Sequence, residues 1–348
     1  MLFDDISSLI NDRCFINING WIPDSVVSLK MEGVSVTGSI KIKPALYMVS
    51  ALEDSGVLRT GKKLIESSSG NLGLALSMIC AWKGYPFICV SDPNIAPLTE
   101  RTIRAYGTNL IIAKSKDKNG GYLGERIRVI ESMLKEDQDL IWVNQYENKN
   151  NVISHYSMTG KSILEKYPYP DYVFIGAGTT GTLGGVSSYI RKYSPSTKII
   201  AVDTKGSVTF GGEPSKRRIP GLGTSKAPEI KKYSQFDEII YIDEKETVFT
   251  CRELASMGLL LGGSTGTVLA AVRHYDSIIG KNKIVVAISP DMGEKYIDTL
   301  DSPNKCNFSE GRSVAIVGIF LAKGKCTMAY TQLTEIERYQ IFSLKEAG

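Results

Sequence analysis

From about residue 60 onward, short apolar runs bounded by turn residues alternate with longer segments of helical period. Strand-like runs are read at 62–66, 86–90, 109–113, 141–144, 172–176, 198–203, 238–242 and 283–289. Helical patterns fall at 71–83, just ahead of 109, and at 121–134, 155–166, 181–192, 244–257 and 266–279. Apolar strands alternating with helices predict parallel sheets covered by helices, an α/β fold. Residues 211–227, rich in Gly, Pro and basic side chains, read as a long surface loop. The alternation stops at Asp301. The tail to Gly348 carries one apolar run, 314–322, too short to span a bilayer, and a polar end at 332–345 with helical character. No internal repeat or low-complexity segment is present.

Composition narrows the function classes. Hydrophobic residues make up 43 % and charged residues 22 % of the 348 positions, an ordinary globular balance for one large or two moderate domains. The net charge of +4 is small for this length and no Lys/Arg block stands out, so neither nucleic acid nor a membrane surface is an expected partner. None of the six cysteines forms a close pair, so zinc and redox spacings are absent and no metal site is expected. Cys80 and Cys89 lie in apolar surroundings and read as packing residues. The N-terminus lacks a basic segment followed by an apolar run, and a cytoplasmic location is the expectation.

Four polar or glycine-rich runs carry the candidate chemistry. Lys41 follows Thr37-Gly38-Ser39-Ile40 and precedes a helix; a lysine of this kind is ordinarily exposed, but one that carries a carbonyl cofactor needs close backbone approach and a lowered amine pKa. Ser67, Ser68, Ser69, Gly70 and Asn71 follow Glu66 at a strand-to-helix junction. One helix cap needs one such residue; the surplus suits a carboxylate held at a helix N-terminus. Gly178, Thr179, Thr180, Gly181 and Thr182 join an apolar strand to a helix and make a phosphate cradle with added hydroxyl donors. The run 262–267, Gly-Gly-Ser-Thr-Gly-Thr with Ser264 at its centre, again precedes a helix. Gly176, Gly178 and Gly181 also spell G-x-G-x-x-G, with Asp203 ending the next strand, the dinucleotide fingerprint. The three threonines suit a terminal phosphate monoester better than a bridging pyrophosphate, and a dehydrogenase gives no joint role to Lys41 and the Ser-Gly-Asn turn.

Taken together and in this order, Ser-x-Lys, Ser-Gly-Asn, the Gly/Thr loop and Gly-Gly-Ser-x-Gly, the chain resembles the fold-type II pyridoxal-phosphate (PLP) enzymes, and within them the cysteine synthase and cystathionine β-synthase group. The likeness runs from about Lys30 to Tyr296 and includes Pro220-Gly221-Leu222-Gly223 and Pro290-Asp291-Met292-Gly293-Glu294-Lys295-Tyr296. A narrower resemblance, to the N-(2-amino-2-carboxyethyl)-L-glutamate synthases, rests on Leu72 after Asn71, Gly121-Tyr122-Leu123 with Arg126, Asn144-Gln145-Tyr146, Ser154-His155-Tyr156 and Val202-Asp203-Thr204-Lys205.

The resemblance implies a tryptophan-synthase-β-like fold of two αβα domains with PLP in the cleft. The smaller domain would cover 44–151 and the larger 1–43 plus 152–300, with a tail of unassigned role at 301–348. It implies a homodimer acting on small amino acids. Lys41 matches the lysine that carries the cofactor, and Asn71 the residue bonding the pyridine 3′-oxygen. Gly178 to Thr182 match the phosphate cradle, and Ser264 the serine facing the pyridine nitrogen. A hydroxyl there, rather than a carboxylate, favours β-elimination over transamination. Ser67 to Gly70 with Leu72 match the substrate-carboxylate loop, assisted by Gln145. Arg126 and Tyr146 are candidates for anionic substrate groups. The narrower likeness implies joining O-phospho-L-serine to L-glutamate, towards 2,3-diaminopropionate for siderophores or peptide antibiotics; the alternative is a cysteine synthase using sulfide. The sequence departs from the group at Ser35 to Gly38, at Ile42-Lys43 where Asp-Arg is usual, and at Leu72 where threonine is common, which puts local packing around Lys41 in question. His155 is read as a cap-region residue without chemistry, and His274 as a surface helix residue.

Overall fold

The structure is a computed structural model that describes residues 6–116 and 121–297. The tail read at 301–348, with its apolar run and polar end, lies outside the described residues. Ten strands are present among them: β1 Phe15–Asn17, β2 Val26–Met31, β3 Lys63–Ser67, β4 Phe87–Ser91, β5 Asn109–Ile112, β6 Leu140–Trp142, β7 Tyr172–Gly176, β8 Lys198–Thr204, β9 Glu238–Ile242 and β10 Ile284–Ser289. The helices are α1 Ile42–Asp54, α2 Asn71–Lys83, α3 Pro97–Ala105, α4 Leu123–Glu136, α5 Lys149–Ser154, α6 Lys161–Lys166, α7 Gly181–Tyr193, α8 Glu244–Ser256, α9 Gly263–His274 and α10 Asp276–Ile279.

The strands form a six-stranded sheet in the order β1-β2-β10-β7-β8-β9 and a four-stranded sheet in the order β5-β4-β3-β6. Every pairing is parallel except β1 with β2. Parallel strands are buried on both faces, and the side-chain parity shows it. In β7, Phe174 joins one core with Leu29, Val202 and the α9 residues Val268 and Leu269. Its neighbours Val173 and Ile175 join a second core with Ile199, Val286 and the α7 residues Leu183 and Val186. The smaller sheet repeats the arrangement. Leu64 and Cys89 face α1 and α2, while Ile65 and Val90 face Ile130 of α4. Helices therefore cover both faces of each sheet, and Cys80 and Cys89 are buried packing residues.

Several boundaries differ from the sequence reading. The strands β1 and β2 were not anticipated, because β1 is very short and β2 hides its apolar alternation behind the buried Lys30. The helix expected at 155–166 begins at Lys149, capped by the Asn148 side chain, which accepts from the Asn150 N–H at 3.0 Å. It then widens into a π-helical segment, His155–Gly160, before α6. The helix expected at 266–279 starts at Gly263 and breaks at Tyr275, dividing into α9 and α10. The stretch 211–227 is irregular and mostly exposed, although Leu222 and Thr224 are buried.

Candidate active site

The polar residues singled out in the sequence converge at the carboxyl ends of the parallel strands, the usual ligand edge of such sheets. The two flanks of Lys41 enter different cores: Ile40 packs under the larger sheet and Ile42 against the smaller one. A backbone bridge from Ser39 to Asp291 and a 2.8 Å bond from the Ile40 N–H to the Pro290 carbonyl anchor the segment to the end of β10. The Lys41 amine donates to Thr179 Oγ1 at 3.3 Å. Burial pushes its pKa down to about 8, opposed by the nearby Glu66 carboxylate. Glu66 is itself buried at the end of β3, and desolvation lifts its carboxyl to about 7 although it accepts the backbone N–H groups of Ser67 at 2.9 Å and Gln145 at 3.3 Å. The site thus holds a weakly basic amine beside a carboxyl that titrates near neutrality.

The Ser-Gly-Asn turn opens α2. Ser68 Oγ accepts from the N–H groups of Gly70 at 3.3 Å and Gly73 at 2.9 Å, two of the donors at the start of the helix. The buried Ser67 hydroxyl has no partner. Gln145, after β6, donates from Nε2 to the Ser67 carbonyl at 3.2 Å and so ties its segment to the turn. Leu72 points away from this polar group into the core of the smaller sheet. That placement answers the departure from threonine: the position supplies apolar packing.

The cradle opens α7. Thr180 adopts a left-handed conformation with φ of 67°, its hydroxyl is buried without a partner, and no side chain caps the helix. At Gly178 a Cβ would stand 2.8 Å from the Gly221 carbonyl oxygen, so the loop needs glycine to close against 220–223. Asn151, buried and unremarked in the sequence, donates to the Gln145 carbonyl at 2.9 Å and to Thr179 Oγ1 at 3.3 Å, linking cradle and turn.

Asn71 and Ser264 meet a ring of groups that had been read only as part of a motif. Asn71 Nδ2 donates to Asp291 Oδ2 at 2.6 Å and to Tyr296 Oη at 3.0 Å, and its Oδ1 accepts from Lys295 at 2.8 Å. Both amide hydrogens are engaged, so a bond to a ring oxygen requires one of these to be given up. Ser264 Oγ stands 3.5 Å from the other oxygen of Asp291, and Tyr296 also donates to that carboxylate. Burial raises Asp291 above the ordinary carboxylate range despite these donors. Ser264 is therefore a hydroxyl backed by a carboxyl.

Arg126 and Tyr146 lie on the side of Gln145. Arg126 is buried on α4 with its Nε 3.4 Å from Asp92 Oδ2, within ion-pair reach but without a hydrogen bond. Tyr146 is held above its usual pKa mainly by burial, in the opposing fields of Arg126 and Glu66 and those of Arg217 and Asp92. Arg217, from the loop read as surface, bonds the Leu222 carbonyl at 3.1 Å and leaves a buried Nε unpaired. It also lies in the field of Asp203, which is buried with one oxygen unpartnered and is not presented for a ribose hydroxyl. No sequence signal marked Arg217, because its approach to Tyr146 depends on how the loop folds back.

The family described as pyridoxal-phosphate dependent enzyme matches residues 22–291, and the chain belongs to it. Among solved structures, an O-ureido-L-serine synthase is similar with a TM-score of 0.79 at 28 % identity, over 92 % of this chain and 100 % of that one. A hydrogen sulfide-producing enzyme from Fusobacterium nucleatum gives 0.78 at 28 % identity, over 85 % and 100 %. An O-acetylserine-dependent cystathionine β-synthase from Helicobacter pylori shares the fold at 0.79 and 23 % identity, over 86 % and 98 %. The cofactor is pyridoxal phosphate, and the residues present fit it: an unspent Thr180 hydroxyl, an uncapped helix N-terminus and a buried amine of lowered pKa. Among the described residues no helix is long and apolar enough to cross a membrane.

Proposed function

We propose that the protein performs a β-replacement, joining O-phospho-L-serine to L-glutamate with release of phosphate and N-(2-amino-2-carboxyethyl)-L-glutamate, on the way to 2,3-diaminopropionate. One observation carries the choice: two guanidinium groups, Arg126 and Arg217, each keep a buried Nε without a hydrogen-bond partner and act on the buried Tyr146. A dicarboxylate nucleophile needs such a second anion site; sulfide does not.

Bound PLP supplies the electron sink for charge developing at the substrate α-carbon. The chain supplies the rest. Gly178 to Thr182 hold the phosphate, and Asn71 and Ser264 orient the ring. Ser67 to Gly70, with Gln145 behind them, receive the substrate α-carboxylate. The Lys41 amine, with a pKa near about 8, takes the α-proton and returns it. Loss of phosphate from the β-carbon makes room for the glutamate amine, whose carboxylates meet Arg126 and Arg217. The smaller unit, 44–151, carries the carboxylate turn, and its closure on substrate would exclude water. The reading includes a homodimer, which sedimentation of the purified protein checks, and a cytoplasmic location, which cell fractionation checks.

The test is to incubate the holoenzyme with O-phospho-L-serine and either L-glutamate or sulfide, following phosphate release and products by mass spectrometry. The adduct of serine and glutamate supports the reading; cysteine from sulfide alone sinks it. With glutamate as substrate, Arg126→Gln should raise its KM about 10- to 100-fold. One observation favours sulfide as a second reading: Asp92 already faces Arg126.

A further inference from the structure

The pair Ile42-Lys43, where the sequence departs from its group, leads into a hydrogen-bonded chain that ends at the cradle. Lys43 is fully buried, and its ammonium donates to Asp12, to Glu32 Oε1 at 2.8 Å and to Thr159 Oγ1 at 3.1 Å. Lys30 lies beside it, also buried, with 3.0 Å to Asp12 and 3.4 Å to Glu32. Two cations and two carboxylates offset one another there. Thr159 touches His155 Nδ1 at 3.1 Å, and His155 Nε2 touches Thr182 Oγ1 at 3.2 Å.

The directions of these bonds follow from counting protons. An ammonium only donates, so Thr159 Oγ1 accepts from Lys43; among the described residues its own proton has no acceptor but His155 Nδ1, and it is donated there. His155 is fully buried, and burial with the fields of Lys43 and Lys41 holds it well below its usual pKa, hence neutral. A neutral imidazole that accepts at Nδ1 carries its proton on Nε2 and donates to Thr182. Thr182 makes no other hydrogen bond among the described residues, so its own proton remains for an acceptor in the cradle. The ring is seated by close approach of the π-helical segment to α7: at Gly185 a Cβ would stand 2.3 Å from the Val152 carbonyl oxygen and 2.6 Å from His155 Cβ.

We infer that His155 is a positioning residue: Lys43 and Thr159 set its tautomer, and that tautomer makes the Thr182 hydroxyl an obligate donor to the cofactor phosphate. A phosphate monoester only accepts, so the opposite tautomer would turn an oxygen lone pair towards it.

The experiment is nitrogen–proton correlation NMR of the imidazoles in the full chain, with and without PLP, beside the cofactor dissociation constant and the phosphorus resonance of bound PLP. The chain has two histidines, and a His274→Gln variant assigns His155. The expected result is a proton on Nε2 in both states. Thr159→Val should mix the tautomers, shift the phosphorus resonance and weaken PLP binding about tenfold, while Thr159→Ser restores all three. A proton on Nδ1 in the wild type overturns the inference, even if Thr159→Val does not fold. So does a folded Thr159→Val protein with unchanged tautomer and dissociation constant.

Discussion

The carboxylate turn and the phosphate cradle are both strand-to-helix junctions rich in small polar residues, yet they use their hydrogen bonds differently. In the turn, Ser68 Oγ takes up the N–H groups of Gly70 and Gly73, so part of the helix start is satisfied from within, while the buried Ser67 hydroxyl has no partner. In the cradle, Thr180 Oγ1 is buried without a partner and α7 has no side-chain cap. A junction that bonds some of its own N–H groups and keeps one hydroxyl, Ser67, to spare suits a ligand that comes and goes. One that leaves donors unspent suits a resident ligand, because an orphaned buried hydroxyl costs about 1–3 kcal/mol until something pairs with it. On the proposed roles, the contrast separates a visiting substrate from a held cofactor.

The largest effect should come from removing the group that both junctions serve. Lys41→Ala is expected to abolish the visible band of lysine-bound cofactor and to lower turnover at least about 10³-fold, read by absorbance and steady-state kinetics. Next is a break at the cradle. In Gly181→Ala the new Cβ would stand 2.0 Å from Asn151 Oδ1, and cofactor dissociation measured by fluorescence should rise about 10- to 100-fold. A break confined to the turn, Ser68→Ala, should raise the substrate KM and cost about 1 kcal/mol in thermal unfolding, with the cofactor constant unchanged. If that constant moves as much as in Gly181→Ala, the two junctions are not independent. The smallest change is in pH dependence. An amine must be unprotonated to take up an aldehyde, so cofactor loading of stripped protein should rise with pH through about 8. Because Glu66 raises the Lys41 pKa, Glu66→Gln should move that midpoint down, by under about one unit.

Both junctions were legible in the sequence because each is one contiguous run at the end of an apolar strand. The alternation of β and α segments was legible for the same local reason. The ring around Asn71 was not. Asp291, Lys295 and Tyr296 lie more than two hundred positions away, and only the parallel placement of β10 brings them near. Glu66 was visible as a letter in the motif, but its raised pKa comes from burial that no spacing reports. His155 looked like a helix start because the reading could not see α5 running into it through a π-helical segment. Nothing in the sequence marked Lys30 and Lys43 as buried, and only their partners Asp12 and Glu32 account for that burial.

The isoleucines on either side of Lys41 belong to different cores, Ile40 to the larger sheet and Ile42 to the smaller. The lysine is therefore a rivet through two plates. If either core melts, the amine loses its bearing towards Thr179, and the proposed grip on the cofactor goes with it. With Lys41 in its proposed role, the colour of the protein would report the joint integrity of both halves, and a chain with one half folded would be colourless.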